Sequence, residues 1–268
     1  MLKRVISSIV GLPILIVLVV MGGLWLQVGL GIVIIIGLYE FYGSFGKRNI
    51  MQWFGMAYAL LFMIFLGQGY SWPGFYVELH LMIAAFPLLV MILLVLRHKA
   101  VKAPECMIVI FGFFYVAVLM STIFLTTQIT DRQYLVWLAF LSAWGCDTGA
   151  YAFGKTLGKR KLVRELSPNK TVAGAIGGGL TAAVLCGIYG GIMAYLGFAG
   201  DNAIIICVII GGLGGIAAQF GDLSASAIKR YTGKKDFGSI IPGHGGVLDR
   251  FDSILFTAPL VYAFAVLL

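Results

Sequence analysis

The sequence predicts an all-α polytopic membrane protein with about nine transmembrane helices, its N-terminus cytoplasmic and its C-terminus on the opposite side. Three observations lead there. Of 268 residues, 60% are apolar and only 11% are charged, which is too apolar for an ordinary water-soluble domain. Apolar runs long enough to span hydrocarbon recur along the whole chain. The 19 Lys and Arg lie in short loops between those runs, so the net charge of +8 reads as membrane topology and not as a nucleic-acid surface.

The spans are expected at 5–22, 24–42, 51–69, 79–96, 105–126, 134–153, 171–197, 203–228 and 252–268. The first follows Lys3 and Arg4 and looks superficially like a signal peptide. No convincing small-x-small cleavage site stands at Val20–Gly23, and a further span follows directly, so it is expected to be retained. With the N-terminus inside, 18 of the 19 basic residues fall in inside loops and only Arg132 falls outside. Outer residues 68–78 carry Tyr70, Trp72 and Tyr76, aromatics suited to a membrane interface. The chain reads as one integral membrane domain over 1–268. Within it, 1–130 supplies helices with little site chemistry, and 140–255 supplies the catalytic helices and cytoplasmic loops. Glu40 and Glu78 stand near span ends and read as interfacial.

Cys106, Cys146, Cys186 and Cys207 are scattered singly through apolar stretches without metal-ligand spacing, and are expected as small core residues rather than disulfides. Glycines four residues apart, at Gly174/Gly178, Gly187/Gly191 and Gly211/Gly215, predict close helix packing. No glycine run follows a strand, which argues against a Rossmann or P-loop nucleotide site.

Three constellations carry chemistry, and all face inside. Trp144, Asp147 and Tyr151 share one face of the sixth span, and an intramembrane aspartate is a functional candidate. The loop 155–170 is strongly basic and leads into Ser167-Pro168-Asn169-Lys170-Thr171. Ser167 reads as a helix N-cap and Pro168 as a first-turn residue, an arrangement whose free amides, beside Lys170, suit a phosphate. Asp222, Ser226 and Lys229 then share a face of the eighth span. Arg230, Lys234, Lys235 and Asp236 follow, with the turn Pro242-Gly243-His244-Gly245-Gly246 and the run Asp249-Arg250-Phe251-Asp252. A topology-setting loop needs lysines and arginines, but it does not need these carboxylates or this turn. The residue types suit metal-assisted phosphoryl or nucleotidyl transfer, in which Lys, Arg and a divalent cation neutralise two anions that must meet. Asp222 and Asp249 are the natural carboxylate pair for Mg²⁺. His244, with no second histidine nearby and no local cysteine, argues against zinc.

The segment 226–252 resembles the phosphatidate cytidylyltransferase (CDP-diacylglycerol synthase) family. The matching positions are Ser226, Ile228, Lys229, Arg230, Lys235, Asp236, Pro242, His244, Gly245, Gly246, Val247, Asp249, Arg250 and Asp252. Upstream, Asp147, Ala150, Tyr151 and Gly154 match a second element, and Ser167, Pro168, Lys170 and Thr171 a third. Val172-Ala173 stand where that third element continues Trp-Glu. The resemblance implies transfer of a cytidylyl group from CTP to phosphatidate in the bilayer, giving CDP-diacylglycerol and pyrophosphate. It implies Mg²⁺ as cofactor, with Mn²⁺ or a second cation compatible with the same ligands. Carried over residue by residue, it gives Lys229, Arg230, Arg250 and Asp147 catalytic roles and leaves Asp222 and Asp249 on the metal. Ser167, Lys170, Thr171, Ser226, Lys235, His244, Gly245 and Gly246 become substrate-binding residues.

A bacterial inner membrane with the site facing the cytoplasm is the expected location, and the glycine-rich helices allow a homodimer. A CTP-using relative acting on another lipid phosphate or a polyprenol is the rival enzyme. A transporter would call for related halves, whereas the charged motifs all lie in the second half.

Overall fold

The computed structural model describes residues 2–46, 49–68, 74–241, 243 and 245–268, with side chains from Gly11 onward. Tyr70 and Trp72 of the expected aromatic loop lie outside the described residues, as do the side chains of Lys3 and Arg4. The chain is almost entirely helical and divides into two compact units. Among the described residues five helices are long and apolar enough to cross a membrane: Gly23–Ser44, Phe75–Leu96, Ala103–Thr127, Val172–Tyr195 and Ala203–Tyr231. This bears out an all-α membrane protein.

The first unit comprises residues 1–124 and the returning segment 236–249. Its helices are α1 (Leu2–Met21), α2 (Gly23–Ser44), α3 (Ile50–Leu66), α4 (Phe75–Leu96) and α5 (Ala103–Gly112). A π-helical turn (Phe113–Val118) then leads into α6 (Leu119–Thr127), whose last three residues are counted with the second unit. Local chemistry sets the helix starts. The Asn49 side chain accepts from the Met51 and Gln52 amides while Gln52 Oε1 accepts from the Asn49 amide, a reciprocal cap on α3. At α5, Pro104 fills a first-turn position where no donor is needed, and Glu105 accepts from the Lys102 amide at 2.9 Å.

An aromatic core holds these helices together. The Phe86 and Phe113 rings lie 4.3 Å apart, with Tyr58 4.7 Å from Phe86 and Phe62 5.4 Å from Phe113. Such rings exclude more area than aliphatic residues and add edge or offset attraction. The segment 236–249 packs on α2: the Phe237 ring lies 6.1 Å from that of Phe41, and Leu248 faces Gly37.

The second unit comprises residues 125–235 and 250–268. It contains α7 (Val136–Leu157), a hairpin of β1 (Lys161–Val163) and β2 (Ser167–Thr171), α8 (Val172–Tyr195) and α9 (Ala203–Tyr231). The four-residue helix α10 (Leu248–Phe251) begins in the first unit's segment and leads to α11 (Ile254–Leu267). The glycines do what their spacing predicts. A Cβ at Gly178 would stand 2.7 Å from the Cys146 carbonyl on α7, and one at Gly211 2.7 Å from the Ala182 carbonyl on α8. Backbones meet there without side chains between them. Gly211→Ala is therefore expected to destabilise by about 1–3 kcal/mol through overpacking. Gly212→Ala, whose Cβ would meet only Ala183 at an ordinary 3.7 Å, should be nearly neutral. Thermal unfolding of the two variants in detergent checks the contrast.

All four cysteines are buried and free, as expected. Arg132, the one basic residue expected on the outer side, donates from Nη1 to the Ala265 carbonyl at 3.0 Å, near the end of α11 where carbonyls lack helical partners.

One local expectation is corrected. Ser167 and Pro168 do not start a helix. They belong to β2, which pairs antiparallel with β1 (Lys161 with Thr171, Val163 with Ser167) and has an irregular register between. Pro168, which cannot donate, falls in that irregular stretch. The N-cap is Thr171 instead, whose Oγ1 accepts from the Gly174 amide at 3.1 Å. The Val172 amide donates to the Arg160 carbonyl at 3.0 Å. Two amides at the actual start of α8, those of Val172 and Gly174, are thus already satisfied within the fold.

Candidate active site

The chemistry of the second unit gathers where β2, α7 and α9 meet. Lys170 is the penultimate residue of β2, and its ammonium forms an ion pair with the Asp222 carboxylate on α9. Asp147 and Tyr151 on α7, Thr171 at the start of α8 and Gln219 on α9 line the same cavity, of about 210 Å³. Gln219 is held by its own donations, from Nε2 to the Ala175 carbonyl at 3.0 Å and the Gly215 carbonyl at 3.2 Å. The cavity sits in an otherwise apolar helical layer and carries two carboxylates and one ammonium. Trp144, one turn before Asp147, packs its ring at a tilt against Phe140, with centroids 5.5 Å apart.

A second ion pair lies one to two turns further along α9. Lys229 Nζ stands 3.9 Å from Asp252 Oδ2, with the two side chains only 10% and 13% exposed. Asp252 occupies the turn between α10 and α11 and accepts at Oδ1 from the Ser253 amide at 2.8 Å. Burial pushes its carboxyl from 3.8 up to about 7, and the negative charge of Asp222 adds to the rise. Lys229 and the Ser253 amide oppose it, and Asp147 adds a smaller push upward. Asp147, Asp222 and Asp252 therefore feel one another across the unit. The Asp252 backbone also meets α9 at Gly221, where an added Cβ would stand 2.6 Å from the Asp252 carbonyl.

The shift has a pH consequence. A carboxyl whose folded-state value is raised binds its proton more tightly folded than unfolded. Its stabilising contribution is thus complete below 3.8 and is lost as pH rises through about 7. Without added divalent metal, the melting temperature should fall between about pH 5 and pH 8. Asp252→Asn, which cannot ionise, should flatten that slope, and thermal unfolding in EDTA-containing buffer measures it.

The end of α9 is fixed by a Schellman motif. Gly233 in the left-handed region (φ 69°) lets its amide donate to the Arg230 carbonyl at 3.1 Å and the Lys234 amide to the Lys229 carbonyl at 2.8 Å. Arg230 folds back on this cap, donating to the Lys234 carbonyl at 3.2 Å, and is exposed. Ser226 is half-buried one turn before Lys229. Lys235 and Arg250 are exposed.

The first unit holds the remaining motif residues on the segment 236–249. Asp249 is buried, and its Oδ2 accepts from the Phe237 amide at 2.9 Å and the Gly246 amide at 3.0 Å. Gly243 (φ 80°) and Gly245 (φ 85°) take the left-handed conformation that favours glycine, and the Ile241 amide donates to the Gly245 carbonyl at 3.0 Å to close the turn. His244 and Pro242 lie outside the described residues. Asp222 falls inside α9, nine residues before its end, and Asp249 lies in the short α10.

Glu40 was expected at an interface. Instead it is 3% exposed in the first unit, and its Oε2 accepts from the Leu248 amide at 2.9 Å. The available signal was a lone carboxylate within an apolar run, which is costly unless it has a partner.

Comparison with known proteins agrees with the motif. The model of the cytidylyltransferase family matches residues 2–268. A phosphatidate cytidylyltransferase of a Synechocystis species is 32% identical over 297 residues, covering 99% of this chain and 97% of that protein. The Bacillus subtilis phosphatidate cytidylyltransferase is 46% identical over 127 residues, covering 47% of this chain and 45% of its own. That of Staphylococcus aureus is 43% identical over 141 residues, covering 52% and 51%. A match across essentially the whole length leaves one assignment: the chain belongs to the cytidylyltransferase family.

Proposed function

We propose that the chain transfers the cytidylyl group of CTP to phosphatidate, forming CDP-diacylglycerol and pyrophosphate. The observation that carries this reading is the cavity holding Lys170, Asp222 and Asp147 amid apolar helices, in a chain matched along its length by phosphatidate cytidylyltransferases. An apolar helical layer supplies the lipid's environment, and the basic residues supply counter-charge for its phosphate and for CTP.

Lys170 and Lys229 are proposed to neutralise phosphates; each is paired with a carboxylate, Lys170 with Asp222 and Lys229 with Asp252. Arg230 and Arg250, both exposed, are proposed to reach the nucleotide phosphates. Ser167, Thr171, Ser226, Lys235, His244, Gly245 and Gly246 are proposed to contact the substrates. A phosphatidate oxygen attacks the α-phosphorus of CTP, the bond from that phosphorus to the bridging oxygen breaks, and pyrophosphate departs. The attacking phosphate is ionised at neutral pH, so Asp147 need not act as a general base. Its role is charge and orientation in the cavity.

We propose Mg²⁺ as cofactor with Asp222 and Asp249 as its carboxylates; Mn²⁺ and a second cation are compatible with oxygen ligands. The residue types fit a hard cation, which takes carboxylate oxygens and leaves its other positions to water and substrate phosphate; among the described residues no cluster of three His, Cys, Asp or Glu side chains stands ready to hold an ion by itself. When bound, such an ion offsets charge on the reacting phosphates and holds them in place.

Nine spans, an inside N-terminus and an outside C-terminus are proposed from the distribution of Lys and Arg. With them go a bacterial inner-membrane location and a cytoplasm-facing site. Light scattering of the detergent-solubilised protein decides the homodimer that the glycine-rich helices allow.

The test is pyrophosphate release from CTP by the purified chain, with phosphatidate and Mg²⁺ added and omitted in turn. Release that needs both, with CDP-diacylglycerol formed, is the expected result. CDP in place of pyrophosphate would mean a lipid kinase, and turnover only with another lipid phosphate would move the substrate.

A further inference from the structure

We infer that Glu40, on α2, is a positioning residue for the glycine-rich segment 236–249, holding from the N-terminal helices the backbone that carries Asp249. The inference rests on the reading above that this segment serves cytidylyl transfer. Its structural half stands by itself.

Glu40 belongs to the otherwise apolar α2, and its carboxylate is buried. Oε2 accepts from the Leu248 amide at 2.9 Å, and the Val247 amide lies beside the carboxylate. Oε1 has no hydrogen-bond partner among the described residues. A buried carboxylate is expensive to keep, and a membrane helix would hold a leucine more cheaply in its place. The contact crosses 208 positions of sequence, so local helix formation does not explain it.

The segment is shaped around this side chain. A Cβ at Gly238 would overlap Glu40 Oε1, and one at Gly246 would overlap Oε2. Neither glycine has a positive φ, so backbone freedom is not what they supply. They supply room for the carboxylate. Gly246 serves twice, since its amide also donates to Asp249 Oδ2 at 3.0 Å. The two acids grip consecutive parts of one short backbone: Asp249 takes the amides of Phe237 and Gly246, and Glu40 takes that of Leu248, the residue before Asp249. Phe237 against Phe41 and Leu248 against Gly37 dock the same segment on the same helix. Loss of the Glu40 acceptor would free the residue next to Asp249 while leaving the helical core of the unit in place.

The experiment pairs hydrogen–deuterium exchange with steady-state kinetics on the full chain in nanodiscs, for Glu40→Ala, Glu40→Gln and Gly238→Ala. In Glu40→Ala, peptides covering 236–249 should exchange roughly 10- to 100-fold faster, as loss of a hydrogen bond to a charged acceptor implies. Peptides of α8 and α9 should be unchanged. The kcat should fall by about 100-fold with the KM for CTP changed less than threefold, the pattern of a displaced group rather than a lost contact. Glu40→Gln keeps an acceptor for the Leu248 amide and should restore both protection and most of kcat. Gly238→Ala, which leaves Glu40 chemically intact but crowds it, should reproduce the loss, and its effect should not add to that of Glu40→Ala. Unchanged exchange in 236–249 for both Glu40→Ala and Gly238→Ala would overturn the inference. So would a Glu40→Gln variant as impaired as the alanine. If Glu40→Ala fails to assemble, Glu40→Gln and Gly238→Ala decide by the same readouts. Because exchange needs no substrate, the anchoring is tested even if the wild-type chain transfers no cytidylyl group, an outcome that would sink the functional reading alone.

Discussion

Asp222→Asn is expected to lower kcat by about 10²- to 10³-fold, the scale on which enzymes lose rate when one preorganised charge at the reacting centre is removed. Its melting temperature should scarcely move. The Lys170–Asp222 pair is part-exposed, with side chains 24% and 30% accessible, and an ion pair in contact with water contributes about 1 kcal/mol at most. The separation of turnover from stability identifies the role. If Asp222 holds a divalent ion, the variant should also need more Mg²⁺ to reach its residual rate. Lys170→Met should instead raise the KM for CTP or phosphatidate while leaving the Mg²⁺ midpoint alone, since an ammonium meets the substrate's charge and not the cation's. Titrations of initial rate against Mg²⁺ at fixed CTP, and against CTP at saturating Mg²⁺, separate the two. Full activity of Asp222→Asn at limiting Mg²⁺ would remove Asp222 from the metal.

The features legible from sequence share a physical cause. The apolar spans were legible because bilayer solvation imposes length and composition on each helix independently. The face carrying Asp222, Ser226 and Lys229 was legible because its spacing is set by a single helix, α9, with no help from the rest of the fold. Cavity residues Asp147 and Lys170 were singled out because charge in an apolar context is rare enough to need a reason. What escaped depends on tertiary partners. Ser167-Pro168 carries a good helix-start signal, yet the pairing of β2 with β1 moves the cap to Thr171, a choice made by residues on the other side of the hairpin. Glu40 was misread because its partner, Leu248, lies at the far end of the chain. The glycines that accommodate it look the same in sequence as glycines that turn a loop. Gly243 and Gly245 do need the left-handed region, whereas Gly238 and Gly246 need space. Only the folded surroundings of each glycine separate those two uses.

Asp249 combines two roles that substitution can separate. Its Oδ2 accepts from two amides, those of Phe237 and Gly246, in a buried setting. Removing the acceptor altogether, as in Asp249→Ala, leaves two buried donors without it. At about 1–3 kcal/mol for each unsatisfied group, roughly 2–6 kcal/mol of stability is at stake, a large fraction of what holds a domain folded. Asp249→Ala is therefore expected to unfold the segment 236–249 and to be inactive. Asp249→Asn is the informative change. Its amide oxygen can still take both donors at the Oδ2 position, so the melting temperature should stay within a few degrees of wild type. The negative charge is gone, however, and so is any affinity for a divalent ion. If Asp249 only braces the loop, Asp249→Asn should keep most of its turnover and its Mg²⁺ dependence should be unchanged. If Asp249 also carries the charge proposed for it, turnover should fall by about 10²-fold or more in a protein that melts normally. Melting curves and Mg²⁺ titrations of the same preparations distinguish the two. A stable, fully active Asp249→Asn would restrict this residue to the loop and leave the metal to the carboxylates of α7, α9 and the turn before α11.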